Sequence, residues 1–217
     1  EKDKEEVVLR NALVDMYAKC GDTTKAREVL EEFLNRDVIT WNALIGGYAE
    51  IGRAQEALSC LEGMQIEGLS PSSTTLLCVL NACFRSGLFN RAQILFDNMS
   101  QIYGVNPELE HYTCMVMVYG CAGQFEKAME VINVMPSCDN LQVWLVLLGA
   151  CQKWGNVKLG KSAFDQAIRL NKTCGAAYVL MANIFAASGM QEDAQKVEAM
   201  RLKHVASYNN EEISHHL

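Results

Sequence analysis

The chain has 217 residues, of which 50% are hydrophobic and 21% charged, enough apolar side chain to bury a core and too much for a disordered polymer. Its 26 acidic and 19 basic residues give a formal net charge of −7, which opposes general attraction to polyphosphate, so nucleic-acid binding would have to come from local placement. The nine cysteines, odd in number and without a Cys-x-x-Cys pair, read as reduced and mostly buried thiols rather than as disulfides or a structural zinc site.

Residues 1–6 form a polar segment with neither a signal nor a transit-peptide pattern, and the missing initiator Met reads as a mature or excised segment. No run approaches the roughly 18 apolar residues of a membrane span, so the chain reads as soluble. From residue 7 an apolar helical pattern runs to Gly21, and it ends again at Gly52, Gly87, Gly123, Gly155 and Gly189, in steps of 31, 35, 36, 32 and 34 residues. Seven residues before each glycine stand Val14, Ile45, Leu80, Val116, Leu148 and Ala182, and four before stand Tyr17, Tyr48, Cys83, Tyr119, Cys151 and Phe185. Five residues after stands a small side chain: Ala26, Ala57, Ala92, Ala128, Gly160 or Ala194. Each unit therefore reads as a helix, a turn in which glycine supplies the left-handed conformation, and a second helix whose small residue lets the backbones approach. Positions seven and four before the glycine share one helix face and form the seam. One such pair cannot bury both faces, so neighbours must stack, which predicts an all-α solenoid of six pairs and twelve helices with first helices lining a concave surface.

A period near 34 with two helices is common to tetratricopeptide repeats, which take peptides, and pentatricopeptide repeats, which take RNA, and by itself leaves both open. The stretches Asn11-Ala12-Leu13-Val14-Asp15-Met16-Tyr17-Ala18-Lys19-Cys20-Gly21 and Asp37-Val38-Ile39-Thr40-Trp41-Asn42-Ala43-Leu44-Ile45 resemble plant pentatricopeptide repeats of the PLS subclass, in which short, ordinary and long units alternate. In that frame residues 7–37 are a short unit, 38–72 an ordinary one, 73–108 a long one with Val79-Leu80-Asn81-Ala82-Cys83, and 109–140 a short one with Glu110-His111-Tyr112-Thr113-Cys114-Met115-Val116. Val143-Trp144, Leu148-Gly149-Ala150-Cys151, Gly155-Asn156-Val157 and the run from Tyr178 to Phe185 resemble the two extension units of this subclass, placed at 141–206. A polar tail without helical pattern, frayed or vector-derived, is expected at 207–217.

The resemblance implies a right-handed α-solenoid that binds single-stranded RNA in a mitochondrion or chloroplast, and the extension units imply a factor for cytidine-to-uridine editing. In such repeats a polar side chain of the first helix and another at the boundary with the next unit read one base edge. The readers fall at Asn11, Asn42, Leu77 and Thr113, and their boundary partners at Asp37, Ser72, Glu108 and Asn140. By the family's code these pairs imply U, C with tolerance of U, nothing, and A, hence an element U-C-N-A with the edited cytidine four nucleotides beyond the A. Leu77 has neither donor nor acceptor. Val8 and Ile39 fit the apolar positions that sandwich bases, whereas Thr74 and Glu110 do not. On the residues alone, Asn11 and Asn42 read first as amides bonding backbone near a helix start, and only the family frame makes them readers.

Deamination needs zinc-activated water and a carboxylate shuttle, carried by His-x-Glu and a downstream Cys-x-x-Cys. Here His111, His204 and His215 are followed two residues on by Thr113, Ala206 and Leu217. Without the DYW-type deaminase domain of some relatives, the chain reads as non-enzymatic, with no metal or cofactor, recruiting a deaminase in trans beside organellar editing cofactor proteins. His111 reads as a helix-start or packing residue, Trp41 and Trp144 as core, and Trp154 as partly exposed. Two other functions stay open: a tetratricopeptide-like protein-interaction scaffold, favoured by the net charge, and an organellar RNA processing or stability factor.

Overall fold

The computed structural model describes the backbone of residues 2–32 and 36–214 and the side chains of residues 7–32 and 36–204. Within these bounds every regular element is an α-helix, and the helices follow one another in pairs: α1 (Lys2–Lys19) and α2 (Thr23–Glu31), α3 (Val38–Glu50) and α4 (Ala54–Ile66), α5 (Ser73–Arg85) and α6 (Phe89–Asp97), α7 (Leu109–Cys121) and α8 (Phe125–Val134), α9 (Leu141–Trp154) and α10 (Val157–Leu170), α11 (Gly175–Ala187) and α12 (Gln191–Ser214). This is the all-α repeat expected, with twelve helices among the described residues.

Each first helix ends in the same way. At the six repeat glycines φ lies between 66 and 81°, a left-handed backbone in which any side chain would be strained. The Gly21 N–H donates to Ala18 O and the Asp22 N–H to Tyr17 O, both at 3.0 Å; Gly87 to Phe84 O and Leu88 to Cys83 O repeat the pattern at 3.0 and 2.8 Å. These paired bonds satisfy the last carbonyls of the helix and turn the chain back.

The chain divides into two compact units, residues 1–118 and 119–217. In the first, α3 lies between α1 and α5, while α2, α4 and α6 pack against their own first helices. In the second, α9 lies beside α11, with α10 and α12 behind. The stacking is close enough to exclude a Cβ: one placed on Gly47 would sit 2.1 Å from Ala18 Cβ, and one on Gly160 would meet Ile184 Cδ1 at 3.0 Å.

The seam residues Val14, Ile45, Leu80, Val116 and Leu148 and the small residues Ala26, Ala57, Ala92 and Ala128 are fully buried. Two expected seam positions differ. Tyr17 is half-buried, with Lys25 Nζ 5.7 Å from its ring centroid, and Ala182 is half-buried because no further first helix among the described residues lies beside α11. Helix α12 also runs through the tail expected to be irregular, to Ser214, since residues 191–214 hold neither glycine nor proline to stop it.

Trp41 and Trp144 fill the core, their indole N–H groups donating to Glu67 Oε2 at 3.0 Å and Cys138 O at 2.9 Å. Trp154 is 52% exposed, lies against the Gly123 turn and donates to Gly120 O at 3.1 Å. All nine cysteines are free. Burial pushes the thiols of Cys60 and Cys83 up to about 11, and those of Cys114 and Cys151 up to about 12. Among the described residues no helix is long and apolar enough to cross a membrane.

Candidate nucleic-acid interface

The boundary residues turn out to be helix N-caps. Asp37 Oδ1 accepts the Thr40 N–H at 2.8 Å, Ser72 Oγ accepts the Thr75 N–H at 3.1 Å, and Asn140 Oδ1 accepts the Gln142 N–H at 2.8 Å. Asp, Ser and Asn recur here because a short side-chain oxygen satisfies an orphan N–H of the first turn. Glu108 stands at the same register before α7, but there the cap is reversed: the Glu108 N–H donates to His111 Nδ1 at 3.1 Å and the carboxylate stays exposed.

Five residues beyond Asp37, Ser72 and Glu108 stand the candidate readers Asn42, Leu77 and Thr113, with Asn11 at the matching place in α1. All four are half-buried. Asn42 and Ser72 are brought together, the Asn42 Nδ2 amide donating to Ser72 Oγ at 3.5 Å while Asn42 Oδ1 accepts the Thr75 hydroxyl at 2.6 Å. Asn11 differs. Its Oδ1 is buried without a hydrogen-bond partner, and Asp37 holds both the N–H and the hydroxyl of Thr40, each at 2.8 Å. Thr113 donates its hydroxyl to Leu109 O at 2.8 Å, one turn back in its own helix. Thr113 and Asn140 belong to different compact units, and each is bonded within its own. The Asn42 amide bonds side chains, and the Asn11 carbonyl bonds nothing, instead of the backbone bonds the residues alone allowed.

Val8 and Ile39, the base-sandwiching candidates, are 69% and 66% exposed near the starts of α1 and α3. Thr74 and Glu110 are exposed at the same register. One turn beyond the readers, on the same helix face, Gly46, Asn81 and Met117 line a groove of about 450 Å³ with Cys78 and Arg85. Glu50 also lines it, so the one cation and the one anion of its lining offset each other. Lys19 Nζ lies 2.9 Å from Asp15 Oδ2 and 3.4 Å from Glu50 Oε1, and the hydrogen bond to Asp15 raises its pKa above the ordinary lysine value.

The fully buried polar side chains among the described residues are Thr40, Thr75 and His111. Each is the third residue of a first helix, and none was singled out as a site from sequence, although Ser72-x-x-Thr75 carries the spacing of a reciprocal cap. His111 accepts at Nδ1 and donates from Nε2 to Ser73 O at 3.0 Å, which fixes a neutral tautomer and makes it the helix-start residue expected. In α9 and α11 the same position holds Val143 and Ala177, and the register of Asn42 holds Leu145 and Val179, so neither helix offers a side-chain donor or acceptor there.

Family models described as PPR repeat family and PPR repeat match residues 36–85 and residues 8–38, 74–102 and 110–140, together more than half of the chain. The chain is 40% identical to a mitochondrial pentatricopeptide repeat-containing protein of Arabidopsis thaliana over 91% of its own length and 31% of the relative's. It is 38% identical to a chloroplastic one from the same plant over 88% and 26%, so it spans between a quarter and a third of the length of these relatives. Among solved structures it is similar to the PPR domain of Arabidopsis thaliana protein-only RNase P 1 in complex with tRNA, with a TM-score of 0.62 at 16% identity over 87% of this chain and 98% of that one. It is also similar to maize PPR10 in complex with an 18-nt psaJ RNA element, with a TM-score of 0.55 at 19% identity over 90% and 35%. At these identities the likeness is one of fold.

Proposed function

This chain belongs to the pentatricopeptide repeat family, and on that premise we propose that it is a sequence-specific single-stranded RNA-binding module of a mitochondrial or chloroplast cytidine-to-uridine editing factor. It reads U-C-N-A through Asn11 with Asp37, Asn42 with Ser72, and Thr113 with Asn140, and a deaminase is supplied in trans. The observation that carries the reading is the Asn42–Ser72 pair, hydrogen-bonded on the same face that exposes Ile39. A base laid against Ile39 would present its Watson–Crick edge to an amide and a hydroxyl, groups able to distinguish donors from acceptors. The RNA in the solved relatives and the mitochondrial and chloroplastic names of the sequence relatives support the substrate class and the compartment.

The second unit has a different role in this reading. With apolar Leu145 and half-exposed Val179 where readers would stand, its extension pairs contact protein, either an organellar editing cofactor or the deaminase itself. The test is binding of the chain to short RNAs carrying U-C-N-A, against a set with A and U exchanged. Tighter binding to the first set is expected. Equal binding to both sets removes base readout, and no binding to either shifts the function to the protein scaffold.

A further inference from the structure

We infer that Thr75 is a positioning residue that turns the Asn42 amide donor-outward, and that the boundary residue decides whether the threonine at this place does so. Ser72 and Thr75 exchange cap bonds: the Ser72 N–H donates to Thr75 Oγ1 at 3.0 Å, and the Thr75 N–H donates to Ser72 Oγ at 3.1 Å. The two hydroxyls also lie 2.9 Å apart, and with Ser72 as the donor there the Thr75 hydroxyl keeps its proton for Asn42 Oδ1, at 2.6 Å. The bond to Thr75 holds the carbonyl against the cap although a second lone pair remains on it, so the NH2 is the group left facing away, and the 3.5 Å contact with Ser72 uses at most one of its two protons. Donors suit the N3 and O2 acceptors of cytosine and oppose the N3–H of uracil.

In the preceding repeat the same reader sits beside a different boundary residue. The Asp37 carboxylate accepts but cannot donate, and it draws both the N–H and the hydroxyl of Thr40 onto one oxygen. Asn11 Oδ1 is thereby left buried and without a donor. The N3–H of uracil is a donor of the kind it lacks, and meeting it takes a rotation of this amide out of its buried position. In the third repeat, where Leu77 has no polar atom to hold, His111 occupies the threonine's place and turns to Ser73 O instead. The hydroxyl at the third helical position thus follows its boundary residue, and the reader follows the hydroxyl.

The base preference rests on the RNA reading above; the amide orientation does not, and the experiment separates them. In the full chain, the Asn42 side-chain amide is followed by NMR in wild type, Thr75→Val and Thr75→Ser. The same proteins are titrated with RNAs carrying C or U opposite Asn42, and with C or U opposite Asn11. Thr75→Val is expected to loosen the Asn42 amide and lower the C-over-U ratio opposite it roughly two- to tenfold, the worth of one hydrogen bond. Thr75→Ser retains both, and the ratio opposite Asn11 does not move in either variant. An Asn42 amide as ordered in Thr75→Val as in wild type overturns the proposal whatever the RNA does, and so does a loosened amide with an unchanged ratio. A wild-type chain that ignores the base opposite Asn42 overturns the RNA reading and the base preference with it, and the amide signal then decides the orientation alone.

Discussion

Asp37, Ser72 and Asn140 are selected by the backbone before any ligand is considered. Each caps a helix start, and an alanine in such a place costs about 0.5–2 kcal/mol. On the proposed RNA reading, base readout at the boundary is therefore restricted to side chains that also cap. Replacing Thr113 by Asn together with Asn140 by Asp respects that restriction, because Asp caps as well as Asn. The double variant is expected to melt near the wild-type temperature and to shift its preference at the fourth base from A toward U, measured by titration with RNAs varied at that base. An unchanged preference removes this unit from the RNA site. The buried cysteines carry a separate residue-scale expectation. Burial holds the Cys151 thiol up at about 12, while a free thiol titrates near about 8.5. As pH rises the unfolded chain loses this proton first, so the folded state binds more protons and stability falls from about pH 8.5 toward the folded value. The melting temperature should decline over that window, and Cys151→Ala should make the decline shallower. Equal slopes would mean the thiol is not protected.

Helix pairing depends on positions that look interchangeable in sequence. Gly46 and Gly47 are adjacent, yet a Cβ on Gly46 meets nothing within 4 Å, whereas one on Gly47 would fall 2.1 Å from Ala18 Cβ where α1 meets α3. Gly46→Ala is expected to stabilise by roughly 0.5–1 kcal/mol through reduced backbone freedom of the unfolded chain. Gly47→Val should cost about 1–3 kcal/mol by forcing the helices apart, and Ala128→Leu, in a fully buried small position, should cost a similar amount. Denaturant titrations of the three variants check the signs, and a neutral Gly47→Val would separate α1 from α3. At this scale the glycine frame read from sequence was sufficient for helix number, turn position and most of the seam. It missed the helicity of residues 207–214, because polar residues without an apolar period give no sequence signal even where nothing breaks the helix.

The net charge of −7 and the pairing of Lys19 with Asp15 and Glu50 leave little phosphate attraction over the molecule as a whole. If one or two phosphates are neutralised, affinity for single-stranded RNA should fall by less than about tenfold between 50 and 200 mM salt. The U-C-N-A titration repeated across that range measures it. A steeper loss would mean that charge rather than base edges provides the affinity.

The sequence by itself determined the repeat: glycines at a period near 34, small residues five places on and apolar seams are local and periodic, and helices joined by left-handed turns follow from them directly. It also carried the proposed reader and boundary positions, once the motifs supplied a register. Only the tertiary structure decided which polar atoms meet. Asn11 and Asn42 are the same residue at the same register, yet one carbonyl is left without a donor and the other is bound. That difference depends on a threonine about thirty residues away, brought alongside by stacking of the next helix and steered by whether its cap is a carboxylate or a hydroxyl. Local pattern cannot encode such a choice, because a hydrogen bond between repeats depends on the distance and competition of three side chains drawn from two helices.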